Sequence, residues 1–191
     1  MFIVKKNYYL YIENIKALNF DLIKKRSKFS IIYRQQQEKK YIIKDIIEFR
    51  KKCKKKNIDF YIANNLRLAM KLKADGIYIS AYNKRINFCK INKENFKIIG
   101  SAHNFKEINI KKKQGCKEII LSRLFKTNYP EKSTFLGITK FNLICIIAKQ
   151  NFIPLGGIKL NNFGKTKLLG AKSIAILSEI KKKPAIISRL F

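Results

Sequence analysis

The chain has 191 residues, 47% of them hydrophobic and 12% aromatic, a composition that is typical of one globular domain and excludes a disordered chain. The 43 Lys and Arg residues far outnumber the 12 Asp and Glu residues, and the net charge of +31 predicts attraction to polyanions such as phosphorylated metabolites, nucleic acid or anionic lipid. No apolar run reaches the roughly 18–20 residues of a membrane span, and the start of the chain lacks the order of regions that marks a signal peptide, so we expect a cytoplasmic protein without a membrane partner.

Short apolar runs alternate with longer, helix-compatible segments along the chain. Several of the runs lack polar alternation, which is typical of parallel strands buried on both faces. The predicted strands are, in order, Tyr8–Ile12, Phe29–Tyr33, Asp59–Ala63, Gly76–Ile79, Lys97–Gly100, Glu118–Ser122, Ile153–Leu155 and Ser173–Leu177. The predicted helices are Tyr41–Cys53, Asn65–Lys73, Phe105–Gln114, Thr139–Lys149 and Asn161–Leu169, whereas residues 83–95 are too irregular for a full helix.

Three of the helix-to-strand passages share one pattern, in which a turn containing Gly or Ala separates the helix from an apolar run: "KADGIYIS", "KQGCKEIILS" and "LLGAKSIAIL". Repeated units of this kind favour βα modules with right-handed crossovers. Eight strands in a chain of this length predict a single compact (β/α)8 barrel over residues 1–191, with some short or missing helices. A doubly wound open sheet is the structural alternative.

In a barrel, the groups that carry function gather where the strands end. Here the segments after the predicted strands are cationic and rich in amides, with scarcely a carboxylate, and such a set suits an anionic, phosphorylated ligand. It comprises Arg34, Asn64, Asn65, Asn83, Lys84, Arg85, Ser101, His103, Arg123, Lys126, Thr127, Lys132 and Ser178.

The segment "LGGIKLNNFGKTKLLGAKSIAILSEI" contains two adjacent glycines, followed about twenty residues later by a serine. Glycine lets backbone N–H groups approach phosphate oxygens closely. We therefore interpret Gly156 and Gly157, together with Ser178, as the parts of a phosphate site. A tight turn and a helix cap are the structural alternative.

Other residues have two interpretations that the sequence leaves open. His103 is a candidate general base, or a surface residue at the start of a helix. The lysine runs, such as "IKKKQ", are interpreted as solvated faces, and Tyr8, Tyr9 and Tyr11 as core and rim of the first strand. The four cysteines lie far apart and only one histidine is present, so we expect reduced thiols and no structural metal.

Three segments, in this order, resemble the thiamine phosphate synthase family, which also includes thiazole tautomerases. They are "FYIANNLRLAMKLKADGIYIS", "IIGSAHNFKEINIKKKQGCKEIILSRLFKT" and "IPLGGIKLNNFGKTKLLGAKSIAILSEI", and with the strand that precedes them they cover most of the chain. The resemblance implies a (β/α)8 barrel that joins hydroxymethylpyrimidine diphosphate to thiazole phosphate, with release of pyrophosphate.

The resemblance also implies roles for individual residues. It assigns the thiazole phosphate to Gly156, Gly157 and Ser178. It assigns contacts with the substrate or its diphosphate to Arg34, Asn64, Ser101, Thr127 and Lys132. The tautomerases have a histidine where this chain has Arg123, which disfavours that activity.

The family's magnesium ion lies between two aspartates, and the matching positions here are Asn65 and Asn83. Because Mg²⁺ usually takes one or two carboxylates, two neutral amides would hold it weakly. The family's lysine after the second strand is Gln36, and its Thr-Lys pair reads Tyr129-Pro130. The phosphate end of the site is thus kept, while the metal-diphosphate end has diverged.

Three functions are compatible with this divergence. The chain is a transferase of the synthase type in which side-chain cations replace the charge of the metal. Alternatively, it is a catalytically degenerate relative that binds a thiazole or thiamine phosphate. In the third interpretation it binds RNA through its positive charge.

Overall fold

The sheet is a closed barrel of eight parallel strands. The computed structural model describes residues 7–18, 20, 29–34, 43–91, 95–127 and 134–176. Within these ranges the strands pair in sequence order, and the last strand returns to pair with the first. The strands are β1 (Asn7–Ile12), β2 (Phe29–Tyr33), β3 (Asp59–Ala63), β4 (Gly76–Ile79), β5 (Lys97–Ala102), β6 (Glu118–Ser122), β7 (Asn151–Leu155) and β8 (Ser173–Ile176). The predicted barrel is confirmed, and the open-sheet alternative is wrong.

Four α-helices cover the outside of the barrel in the described part of the chain: α1 (Ile43–Lys55), α2 (Leu66–Lys71), α3 (Phe105–Lys113) and α4 (Gly137–Ala148). They follow β2, β3, β5 and β6. 3-10 helices follow three of the remaining strands: Ile15–Ala17 after β1, Ile86–Lys90 after β4 and Leu160–Leu168 after β7. None of these helices is long and apolar enough to cross a bilayer.

The segment predicted as the helix Asn161–Leu169 is a 3-10 helix, Leu160–Leu168. Gly164 lowers the helical propensity of this segment. In addition, the Asn162 side chain bonds to the backbone of two preceding residues: Nδ2 donates to Gly157 O at 2.7 Å, and Oδ1 accepts from Lys159 N at 2.7 Å. Such side-chain bonds compete with α-helical pairing and tie this segment to the turn that precedes it.

The barrel interior is filled by large side chains, among them four tyrosines: Tyr9, Tyr11, Tyr61 and Tyr78. Tyr61 fits because its neighbour on β4 is Gly76. A Cβ atom at Gly76 would lie 2.7 Å from the Tyr61 ring and 2.1 Å from Lys97 O, so only glycine allows this packing. A second apolar cluster joins the outer face of the sheet to the helices, with Phe60, Ile119 and Phe141 fully buried.

The amino end of the barrel is closed by tyrosine–carboxylate hydrogen bonds. Tyr9 Oη donates to Glu118 Oε2 at 2.6 Å, and Tyr61 Oη donates to Asp59 Oδ2 at 3.2 Å. Lys97 Nζ lies 2.9 Å from Asp59 Oδ2 and compensates its charge. Burial, reinforced by the Glu118 carboxylate, raises the pKa of Tyr9 and keeps its hydroxyl protonated. This end of the barrel is therefore filled.

The cysteine thiols differ in burial, and Cys145 is intermediate. Cys53 and Cys116 are buried, and burial raises the pKa of each thiol to about 12. Cys89 is exposed. Because the thiolate is the reactive form, the buried pair is chemically inert in the folded protein.

We therefore expect iodoacetamide at about pH 8 to alkylate Cys89 in the native protein, and to alkylate Cys53 and Cys116 only after denaturation. Raising the pH by about one unit should leave the buried thiols unmodified, because their pKa values lie well above that range. Peptide mass spectrometry measures each site. Rapid native labelling of Cys116 would contradict the packing described here.

Candidate active site at the carboxyl rim

A cavity of about 340 Å³ opens at the carboxyl ends of the strands. This is the size of a site for a small organic molecule. Arg34 and Ser101, both predicted from the sequence, lie in its wall. The full lining is Tyr11, Glu13, Arg34, Tyr78, Ser80, Ala81, Tyr82, Ser101, His103, Ser122 and Leu155.

Two tyrosines form the floor of the cavity. The rings of Tyr11 and Tyr78 pack edge to face with their centroids 5.4 Å apart, and Tyr78 Oη donates to Ser101 Oγ at 2.8 Å. Tyr11 is 6% exposed, yet its hydroxyl, although near Tyr78, forms no hydrogen bond of acceptable geometry with any described residue. Burial raises the pKa of Tyr11, so the hydroxyl stays neutral. A buried, unsatisfied hydroxyl is available to a polar atom of a ligand.

The double glycine follows β7 in a turn that requires glycine. Gly156 and Gly157 have φ angles of 98° and 68°, and a Cβ atom at Gly157 would lie 2.5 Å from Phe125 O. The turn is tied to the loop after β6, since Phe125 N donates to Gly156 O at 3.0 Å. The N–H groups of Gly157 and Ile158 bond to no other residue in the described ranges. Such free N–H groups are what an anion-binding turn provides.

Two further polar groups without partners lie in the loop after β6. The Arg123 stem packs on the glycine turn, with Cγ 3.2 Å from where a Gly156 Cβ atom would lie. Arg123 Nη1 and Thr127 Oγ1 are buried, and neither has a hydrogen-bond partner among the residues that the structure describes. A buried guanidinium N–H without an acceptor is costly, which favours an anionic partner at this position.

Two predicted ligands of the phosphate or diphosphate, Ser178 and Lys132, lie outside the described residues. The strand that leads to Ser178 is in place: β8 pairs with β7, and Ala175 lies opposite Leu155. Leu155 directly precedes the glycine turn and lines the cavity. The glycine turn and the end of β8 are thus neighbours on the rim.

Asn64 links the end of β3 to the end of β4 and the residues that follow it. Its backbone has a φ of 57°, and its N–H donates to Tyr78 O at 2.8 Å. Its Oδ1 accepts from Ser80 N at 2.9 Å and from Asn83 Nδ2 at 3.3 Å. The structure therefore brings Asn64 and Asn83 together, as residues that shape the loop after β4.

The two amides at the family's metal positions are already engaged with the backbone. Asn65 Oδ1 accepts from Leu68 N at 2.9 Å and caps α2, and Asn83 Oδ1 accepts from Arg85 N at 3.1 Å. Within the described ranges no three His, Cys, Asp or Glu side chains cluster as metal ligands would. These neutral, engaged oxygens do not fit the donor set that Mg²⁺ usually takes.

His103 lines the cavity at the end of β5. Its Nδ1 lies 3.0 Å from Glu107 Oε2, which also accepts from the His103 backbone N–H at 2.7 Å. Glu107 is in the first turn of α3, so the helix start fixes the orientation of the imidazole. A carboxylate that orients the ring is compatible with a general base.

Lys111 departs from the sequence prediction. It belongs to the run "IKKKQ", which was interpreted as a solvated face, but it is 0% exposed, whereas Lys112 and Lys113 are exposed as expected. Its Nζ donates to Ser80 O at 2.7 Å, to Asn83 O at 2.8 Å and to Gln114 Oε1 at 2.8 Å. The interpretation is wrong for this residue because three carbonyl oxygens replace water around its ammonium group.

Sequence reasoning also missed the cavity role of Tyr78 and Ser122, and it placed Tyr11 only as core or rim. The available signal was strand alternation, which puts Tyr9 and Tyr11 on one face of β1. Which of the two would reach the open end depends on the barrel register.

We expect Gly157→Ala to lower the free energy of unfolding by about 1–3 kcal/mol, because alanine would be strained at positive φ and would clash with Phe125 O. Gly164→Ala is the matched control, since no heavy atom lies within 4 Å of its Cβ position; its effect should stay within about 0.5 kcal/mol. Urea denaturation measures both. Equal effects of the two substitutions would argue against a strained turn.

Comparison with known proteins finds similar sequences among thiamine-phosphate synthases. The chain is 31% identical to a thiamine-phosphate synthase of Prochlorococcus marinus over 129 residues, 67% of this chain and 37% of that protein. It is 32% identical to a thiamine-phosphate synthase of Flavobacterium johnsoniae, over 72% of this chain and 70% of that protein. The chain spans about two fifths of the length of the Prochlorococcus relatives that it matches.

The fold is also similar to that of a solved structure. The solved structure of a thiamine phosphate pyrophosphorylase from Pyrococcus furiosus superposes with a TM-score of 0.72, over 96% of this chain and 93% of that one, at 18% identity. The sequence profile of the thiamine monophosphate synthase family matches residues 3–180. The chain belongs to the thiamine monophosphate synthase family.

Proposed function

We propose that this chain joins hydroxymethylpyrimidine diphosphate to thiazole phosphate, forming thiamine phosphate and releasing pyrophosphate. The main observation in support is a group of donors near the rim cavity that have no partner among the described residues: the N–H groups of the glycine turn, Arg123 Nη1 and Thr127 Oγ1. Family membership supports the same reaction. The thiazole phosphate binds at Gly156 and Gly157, and Ser178 completes this site.

The pyrimidine ring of the substrate occupies the tyrosine-floored cavity. The Tyr11 hydroxyl, which bonds to no described residue, donates to or accepts from a polar atom of the ring. Ser101, held by Tyr78, is a second polar contact at the same depth. Arg34 lies in the wall at the end of β2, where its guanidinium can attract the diphosphate.

The reaction breaks the bond between the pyrimidine methylene carbon and the diphosphate oxygen, and the thiazole nitrogen bonds to that carbon. Negative charge grows on the departing diphosphate, so cations around it stabilise the transition state. Arg34, Lys84, Arg85, Lys126 and Lys132 are the candidates for this role. They replace the charge that a metal would bring, since Asn65 and Asn83 do not fit that ion.

The direct test is a synthase assay with both substrates, with magnesium and with EDTA. We expect thiamine phosphate and pyrophosphate in equal amounts, and a rate that EDTA lowers less than about tenfold, because side-chain cations remain in place. No product at any magnesium concentration, from folded protein, would reject catalysis. A thermal shift with thiazole phosphate but no product would identify a degenerate binding relative.

Arg123 gives a sharper test of the phosphate site. We expect Arg123→Gln to weaken thiazole phosphate binding by about tenfold or more, because a buried guanidinium is lost from beside the anion. Lys117→Gln is the control, since it removes one exposed positive charge at the opposite end of β6. Isothermal titration calorimetry measures both. Equal losses in the two variants would show a diffuse charge effect instead of a specific contact.

We infer further that residues 1–191 act as a single barrel domain in the cytoplasm, on small phosphorylated substrates. Nucleic-acid association through the net charge of +31 is the competing proposal. The described lysines are spread over the outer helices, as on α1 and α3, which favours non-specific attraction. Such binding would fall steeply with salt and would not respond to Arg123→Gln.

A further inference from the structure

The ammonium group of Lys111 is buried and fully hydrogen-bonded. Its three N–H donors meet three carbonyl oxygens at 2.7, 2.8 and 2.8 Å. In the described ranges no carboxylate forms an ion pair with it. Burying a cation without a counter-ion is costly unless every donor is satisfied, so these three bonds fix its position closely.

Two of the three acceptors belong to the segment of residues 80–85, here called the β4 loop. Lys111 binds the carbonyl oxygens of Ser80 and Asn83. Gln114, three residues further along the chain and also 0% exposed, donates from Nε2 to Asn83 O and Arg85 O, both at 2.8 Å. Two buried side chains from the end of α3 thus make four bonds to the backbone of one loop.

The opposite flank of the β4 loop is held by Asn64, whose Oδ1 accepts from Ser80 N and Asn83 Nδ2. Between these supports the loop contributes Ala81 and Tyr82 to the cavity wall. Its next residues, Lys84 and Arg85, are exposed cations on the rim. Their backbone is therefore placed by contacts that lie outside the cavity.

We propose that Lys111 is a positioning residue, which acts with Gln114 to fix the β4 loop so that Lys84 and Arg85 stay at the rim, where the diphosphate end of the substrate binds. The identity of that substrate rests on the proposed function. In this arrangement Lys84 and Arg85 supply positive charge near Asn65 and Asn83, whose neutral amides do not fit a metal ion. Lys111 itself lies behind the loop and acts only through it.

A positioning role and a purely structural role predict different results for Lys111→Met, which removes the ammonium group and keeps a long unbranched side chain. The substitution leaves the carbonyl oxygens of Ser80 and Asn83 without this donor, and the loop loosens. A positioning role weakens the anion site next to the loop and spares the site at the glycine turn. A structural role alone affects both sites equally.

The experiment measures pyrophosphate and thiazole phosphate binding by calorimetry, and amide hydrogen exchange of residues 80–85, in the full chain. For Lys111→Met we expect pyrophosphate affinity to fall by about tenfold or more, thiazole phosphate affinity to change by less than about twofold, and exchange in the loop to accelerate. Lys113→Met, which removes an exposed charge from the same helix, should change neither affinity. Should Lys111→Met fail to fold, Gln114→Leu gives a second test, because it removes the two bonds from Gln114 Nε2 to Asn83 O and Arg85 O.

Unchanged loop exchange in Lys111→Met, or equal losses of both ligands, would overturn the positioning role. Failure of the proposed function looks different, because the wild-type chain itself would then form no product. In that case the exchange measurement still decides whether Lys111 fixes the β4 loop.

Discussion

A closed barrel of eight strands must fill its own interior, and in this chain four tyrosines do so at two levels. At the amino end, the Tyr9 and Tyr61 hydroxyls donate to Glu118 and Asp59. At the other level the Tyr78 hydroxyl is engaged by Ser101, and the Tyr11 hydroxyl has no described partner. The packing therefore places a polar atom at the floor of the cavity that opens at the carboxyl rim.

The described part of the rim carries backbone N–H groups and side-chain cations and few carboxylates. The glycine turn has free N–H groups and lies against Arg123, whereas the amide oxygens of Asn65 and Asn83 are occupied by local backbone bonds. A carboxylate-bound metal brings positive charge but also needs negative ligands. A rim with few carboxylates can attract a diphosphate directly, and a buried, hydrogen-bonded lysine can order the loop that carries the cations.

Much of the fold could be predicted from local pattern. The bounds of β2, β3, β4 and β6 match the predicted runs, because buried parallel strands are continuous apolar segments. The glycine turn was also predictable, since its positive φ angles require glycine. The burial of Lys111 could not be predicted. It depends on hydrogen bonds to carbonyl oxygens some thirty residues away in the chain, which distinguish Lys111 from the two lysines that follow it. The unsatisfied Arg123 guanidinium and the Tyr11 hydroxyl likewise depend on tertiary packing.

The two ends of the site therefore differ in how the sequence encodes them. The proposed phosphate end rests on backbone conformation, which two adjacent glycines specify locally. The proposed diphosphate end rests on a loop held by Lys111, Gln114 and Asn64. Such an arrangement can be rebuilt with other residues as long as the loop backbone stays fixed. The loop that carries Lys84 and Arg85 is thus held by Lys111 and Gln114, and its position does not depend on carboxylates at Asn65 and Asn83.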